Sequence, residues 1–227
     1  MALILSLETS TPVCSVALHD NGKLIAAAET HISQSAATKL AVLIDDVKKL
    51  AGIKMEELNA VAVTSGPGSY TGLRISTSTA KGLCYALNIP MISIGTLELL
   101  AFQVSKLTIE QFFLCPMIDA RRMEVYCLVA DRELKIKQAV QAKIIDETSF
   151  SEYLSERKVL FFGDGAEKCK TMITHSNAYF IENIFPAASQ LGFLAHKKFE
   201  LQQFEDLVHF EPFYLKDFVA KKASITL

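Results

Sequence analysis

Three glycines within seven positions, in Gly66-Pro67-Gly68-Ser69-Tyr70-Thr71-Gly72, mark the stretch best suited to hold a ligand. The short β-rich run Ala60 to Thr64 feeds this loop and a helical pattern leaves it. The free N–H groups of that helix would point back at the loop, where an anion could sit. Gly66 and Gly68 would let a phosphate approach the backbone. Glu8, Thr9, Ser10 and Thr11 stand where a first strand meets its turn. A carboxylate and hydroxyls there suit a hydrated Mg²⁺ or the phosphates of a nucleotide. Both stretches also have a plain structural explanation, a tight strand-to-helix turn and hydroxyls bonding local backbone. The residues alone leave both readings open.

Several chemistries find no support. The loop lacks the Gly-Lys-Ser/Thr ending of a P-loop, and its glycine spacing is not that of a dinucleotide fingerprint. Asp45-Asp46 and Glu56-Glu57 are adjacent pairs, which splay apart and suit solvation better than acid–base work. No two of His19, His31, His175, His196 and His209 are spaced as a metal pair. Cys14, Cys84, Cys115, Cys127 and Cys169 show neither metal-ligand nor redox spacing, so they are predicted to be reduced core residues of a cytoplasmic protein. No Ser, Cys and His arrangement favours nucleophilic catalysis. The reading therefore assigns no catalytic residue and no metal ligand. A net charge of −2, with both signs interspersed, gives no footprint for autonomous nucleic-acid binding. The apolar start, Met1 to Leu7, has no preceding basic region and reads as a strand, not a signal peptide. No run reaches the roughly 18 apolar residues of a membrane span.

The elements that must position these residues follow a plan used twice. Leu3 to Glu8, Cys14 to Asp20 and Lys23 to Glu29 read as three strands, the last two joined at Asn21-Gly22. A helix over Ser35 to Ala51 ends at Gly52. After the Ala60 to Thr64 strand and the glycine loop comes a helix over Thr71 to Leu87. Its stripe of Ile75, Ser78, Thr79, Gly82 and Ala86 is mostly small. Gly82 inside a helix costs about 1 kcal/mol relative to Ala, a cost that close approach by another helix would explain. A strand at Met91 to Ile94 and a helix at Thr96 to Gln103 follow. The second half offers strands at Phe112 to Ile118, Met123 to Ala130 and Leu134 to Ile145, and a helix at Thr148 to Glu156. A strand at Val159 to Phe162 then leads through Gly163-Asp164-Gly165 into a helix from Ala166. A late helix spans Pro186 to Glu200, an aromatic cluster His209 to Leu215, and a tail Lys216 to Leu227. The repeat implies two three-layer α/β lobes, 1–104 and 105–227, whose glycine turns are expected to face a shared cleft.

Leu5-Ser6-Leu7-Glu8-Thr9-Ser10, Gly66 through Arg74, Ala80-Lys81-Gly82-Leu83, Asp119-Ala120-Arg121, Glu124-Val125-Tyr126 and Pro212-Phe213-Tyr214-Leu215 together resemble the TsaB (YeaZ) family. Members are accessory subunits of the bacterial tRNA threonylcarbamoyladenosine synthase. The resemblance implies a duplicated actin-like, sugar-kinase and Hsp70-like (ribonuclease H-like) fold. It also implies a non-catalytic role beside the paralogous transferase TsaD, which carries a His-x-x-x-His metal site. Thr96 and Leu100 stand at the corresponding positions here, and neither can act as an imidazole ligand. The implied partners are a TsaD-like transferase and, in a larger complex, a TsaE-like ATPase. A second copy is the partner when the chain is alone, tRNA is reached only through the complex, and no membrane is involved. The interface expected is Leu43, Ile75, Ser78, Thr79, Gly82 and Ala86. No cofactor is required, with weak ADP or ATP contacts at Glu8, Ser10, Gly66 and Gly68. The alternatives are an actin-like ATPase or phosphotransferase and, more remotely, a glycoprotease-like peptidase.

Overall fold

The computed structural model describes residues 2–32 and 35–216, which carry two five-stranded sheets. The first half runs β1 (Leu3–Glu8), β2 (Cys14–Asp20), β3 (Lys23–Thr30), α1 (Ala36–Ala51), β4 (Ala60–Gly66), α2 (Tyr70–Leu87), β5 (Met91–Gly95) and α3 (Thr96–Ser105). The second runs β6 (Phe113–Asp119), β7 (Glu124–Ala130), β8 (Ile136–Ile144), α4 (Ser151–Glu156), β9 (Val159–Phe162), β10 (Ala178–Ile181) and α5 (Ala188–Glu200). The sheet orders are β3-β2-β1-β4-β5 and β8-β7-β6-β9-β10, so the duplication is complete at the level of topology. In each sheet the first three strands are antiparallel and the last two join in parallel.

Local chemistry explains much of this. All six residues of β1 are buried, as a central strand covered on both faces requires. Leu3, Leu5 and Leu7 face one core while Ile4 faces another. Asn21 and Gly22 both take positive φ, as a tight hairpin joining right-twisted strands needs. Gly52 ends α1 in the left-handed region, and its N–H reaches the Lys48 and Lys49 carbonyls.

Helices α1 and α2 cover the outer face of the first sheet, burying Leu40, Ile44, Val47, Ala80 and Cys84. Between the sheets lies a shared layer. Leu191, Leu194 and Ala195 of α5 pack on Ile4, Ala62, Ile92 and Ile94, so a helix from the second half covers the sheet of the first. Leu97, Leu100 and Val104 of α3 pack on Leu114, Leu128 and Leu160 of the second sheet. The exchange joins the halves across the sequence break after α3.

Three expectations need correction. The helix from Ala166 is a single 3₁₀ turn, Glu167–Cys169, because only a short segment separates Gly165 from the polar His175-Ser176-Asn177. Strand β10 then pairs parallel with β9, although the pattern gave no sign of it. The third strand of the second half begins at Ile136, since Leu134 sits at φ 65° in the preceding turn. Of the tail, Lys216 is described and residues 217–227 lie outside the described residues.

Candidate functional site

The loop between β4 and α2 is shaped by close backbone contact. Gly66 has φ 111°, and a Cβ there would lie 2.7 Å from the Phe213 carbonyl oxygen. Side chains on Gly68 and Gly72 would overlap the carbonyl oxygens of Ser10 and Thr9. The glycines thus let the β1–β2 turn and residue 213 press against the loop. Hydrogen bonds hold the contact: Ser69 N–H donates to the Ser10 carbonyl at 2.7 Å, and the Thr9 hydroxyl to the Gly72 carbonyl at 2.7 Å. The Ser69 hydroxyl caps α2 by accepting from Gly72 N–H at 3.3 Å. The second half repeats the packing, since a side chain on Gly163 would overlap the Met117 carbonyl.

Glu8 is fully buried at the end of β1. Its Oε1 accepts from Ser10 N–H at 2.6 Å and from the Ser10 hydroxyl at 2.5 Å, while the Thr64 hydroxyl lies near the carboxylate but makes no well-formed hydrogen bond with Oε2. Burial pushes the Glu8 carboxyl up to about 7; the hydroxyls of Ser10 and nearby Thr64 and the Ser10 amide pull it partly back. Its counterpart in the duplicate, Asp119, is exposed and forms an ion pair with Lys168. Asp119 N–H donates to Asp164 Oδ1 at 3.0 Å. Burial raises the Asp164 carboxyl to about 6, and the charge of Asp119 adds to the rise.

These loop ends surround a cleft of about 450 Å³ between the lobes. Ser10, Gly68 and Ser69 line it on one side, Asp119, Arg121 and Asp164 on the other, and Phe213 to Lys216 run along it. Of the four residues expected to touch a nucleotide, Ser10 and Gly68 line the cleft, while Glu8 and Gly66 lie behind its wall. The sequence reading expected the turn holding Asp164 to face the cleft but missed Arg121 and residues 213–216 as cleft residues. Their signals were the Asp-Ala-Arg turn at a strand end and the aromatic cluster His209 to Leu215. Among the described residues no group of three His, Cys, Asp or Glu could hold a metal ion. Among the described residues no helix is long and apolar enough to cross a membrane. All five cysteines are free and buried.

The second candidate surface lies on α1 and α2. Leu43, Ile75, Leu83 and Leu87 meet half-buried at the edge of the core. Ser78, Gly82 and Ala86 are exposed, with Thr79 half-buried beside them in one stripe of α2, and α1, which carries Leu43, packs against α2. A Cβ added at Gly82 meets nothing within 4 Å. Tyr85, one turn on from Gly82, is 83% exposed, and Leu50 near the end of α1 is 72% exposed, neither singled out from sequence. Thr96 and Leu100, by contrast, are buried in the interlobe layer.

Residues 30–224 match a family model described as TsaD: tRNA N6-adenosine threonylcarbamoyltransferase. The chain is 30% identical to the tRNA threonylcarbamoyladenosine biosynthesis protein TsaB of Haemophilus influenzae, over 69% of this chain and 61% of that protein. It is 28% identical to the Escherichia coli protein of the same name, over 96% of each. The solved structure of YeaZ from Pseudomonas aeruginosa superposes with a TM-score of 0.81 at 25% identity, covering 95% of this chain and 100% of that one. The duplicated plan is that of the actin-like and sugar-kinase fold.

Proposed function

The chain belongs to the TsaB (YeaZ) family, and from that premise we propose that it serves tRNA threonylcarbamoyladenosine biosynthesis as a non-catalytic subunit that scaffolds a TsaD-like transferase. The observation that carries this reading is the outer side of α1 and α2, where Leu50 and Tyr85 are exposed and Gly82 has open space above it. Exposed large apolar side chains and a stripe of small residues suit a helix pair from another chain, which can approach closely and bury them. A second copy would use the same face when the transferase is absent. Thr96 and Leu100 pack as core residues where the transferase carries its histidines, which fits a partner and not a catalyst. A TsaE-like ATPase and tRNA would join through the assembled complex, in the cytoplasm.

The test is co-purification of the chain with its TsaD-like paralogue, using Gly82→Trp. The site is open and a bulky residue has better helix propensity than glycine, so the chain should stay folded. The expected result is loss of the complex with thermal unfolding at or above that of the parent. Undiminished complex formation would remove the proposed face.

A second reading, nucleotide binding, has the cleft of about 450 Å³ and its hydroxyl-rich wall in its favour. The wall contacts argue for weak binding, because the loop glycines already accommodate protein backbone. Calorimetric titration with Mg–ADP separates the two, since a partner subunit does not require bound nucleotide.

A further inference from the structure

After α5 the chain runs without regular structure from residue 201 to residue 216, yet it is anchored at nearly every step. Glu205 N–H donates to the Met91 carbonyl at 2.9 Å, and Glu205 Oε1 accepts from the Ser93 hydroxyl at 2.6 Å. Both contacts seat the segment on the open edge of β5. Leu207 and Phe210 then pack against the first core, and Lys81 Nζ of α2 donates to the Val208 carbonyl at 3.2 Å. Phe213 N–H donates to the Ser65 carbonyl at 2.7 Å, which continues the segment along the end of β4. The Tyr214 ring lies on the Tyr70 ring with centroids 4.9 Å apart. Finally Lys216 Nζ crosses to the other lobe and binds both carboxylate oxygens of Glu124, on β7, at 2.5 Å.

We propose that residues 205–216 form a tether that is anchored on α2 and the glycine loop, crosses the mouth of the cleft, and sets how far the two lobes can open. Three independent features point to this. The segment forms a wall of the cleft while touching both lobes, so the lobes cannot separate there without breaking the Lys216–Glu124 pair or peeling Phe213 from Ser65. Gly66 combines a positive φ with a carbonyl of the segment where its side chain would be, so the loop's first glycine is shaped to seat the tether. The Lys81 contact joins the tether to α2, so a change at that helix reaches the cleft through one continuous stretch of backbone. On the opposite side the lobes are held by the α3–α5 layer, which leaves the cleft side as the one a tether can govern. The inference concerns the isolated chain and stands whether or not a transferase docks on α2.

Distance measurement between spin labels in the full chain tests it. Thr71→Cys and Glu167→Cys place labels on exposed residues of the two lobes, and the five native cysteines are buried and should stay unlabelled. In this background Lys216→Glu reverses the charge facing Glu124, and Lys81→Met removes the anchor on Val208. Each should broaden the interlobe distance distribution and shift it to longer separation, with secondary structure and thermal unfolding retained. Tyr214→Leu removes the ring contact without touching a charge and should act in the same direction. If the Lys216→Glu or the Lys81→Met chain keeps the unsubstituted distribution, the tether is wrong.

Discussion

Replacing Glu8 by Gln should make the protein more stable in alkaline solution and change it little in acid. Glu8 is fully buried, and burial raises its carboxyl from an ordinary 4.5 to about 7. Between those values the native state holds a proton that the unfolded chain has released. Folding is therefore helped by this group below pH 4.5, and the help is lost as pH rises through 7. At 1.36 kcal/mol per pH unit, the difference amounts to about 3 kcal/mol by pH 8. Glutamine avoids the cost because it never ionises. Its carbonyl can still accept from the Ser10 amide and hydroxyl, and its amide can donate to the nearby Thr64 Oγ1. Urea unfolding of both proteins at pH 5 and pH 8 gives the measurement. The gap between variant and parent should be within about 1 kcal/mol at pH 5 and favour the variant by roughly 2–3 kcal/mol at pH 8. A gap that is the same at both pH values would refute the reasoning, because the charge of Glu8 would then cost nothing to bury.

The same Glu8→Gln chain exposes a second titration. His19 is buried beneath α5, where a side chain on Gly192 would overlap its ring; its Nε2 lies 3.1 Å from the Ser189 carbonyl and its Nδ1 has no partner. Burial lowers its pKa from the ordinary 6.5, with His196 adding to the fall. Stability from this group is present above pH 6.5 and declines below it, so the variant should lose stability from pH 7 to pH 5 more steeply than the parent, in which Glu8 offsets the loss. A flat profile in the variant would show that the buried ring is not strained by protonation. At the proposed docking face, Gly82→Ala should raise stability by about 1 kcal/mol, since the helix gains propensity and the new methyl meets nothing within 4 Å. Thermal unfolding reads this directly, and a loss of stability would mean that the space above Gly82 is occupied in the isolated chain.

The parts of the fold legible in sequence were those governed by neighbours along the chain. Asn21-Gly22 dictated a hairpin, Gly52 a helix end, and the nearly continuous apolar run of β1 a central strand, because each depends on local backbone or pattern. The α2 stripe was legible for the same reason, since an exposed glycine in a helix is a local cost without a local benefit. Strand β10 was not legible: its four residues carry no alternation and its existence depends on β9 offering an open edge. Nor could the helical pattern of α5 say which sheet it would cover, because an apolar face fits either. The loop glycines were legible as a requirement for close approach, but what approaches them was not. The Thr9 and Ser10 carbonyls and Phe213 fill that role, and Phe213 belongs to a segment with no periodicity that folding brings back from the far end of the chain.

The duplication also separates the proposed docking face from the cleft in this molecule. Where the first half carries the 18-residue helix α2 after its glycine turn, the second carries only the 3₁₀ turn Glu167–Cys169. A three-residue turn can close a core around Cys169 and Ile173, but it has no outer face long enough to receive another helix. The α2 face is thus present on one lobe, while the turns that meet at the cleft are contributed by both. A substitution on the outer side of α2 should therefore affect association without reshaping the cleft, provided it leaves Lys81 and the segment it holds in place.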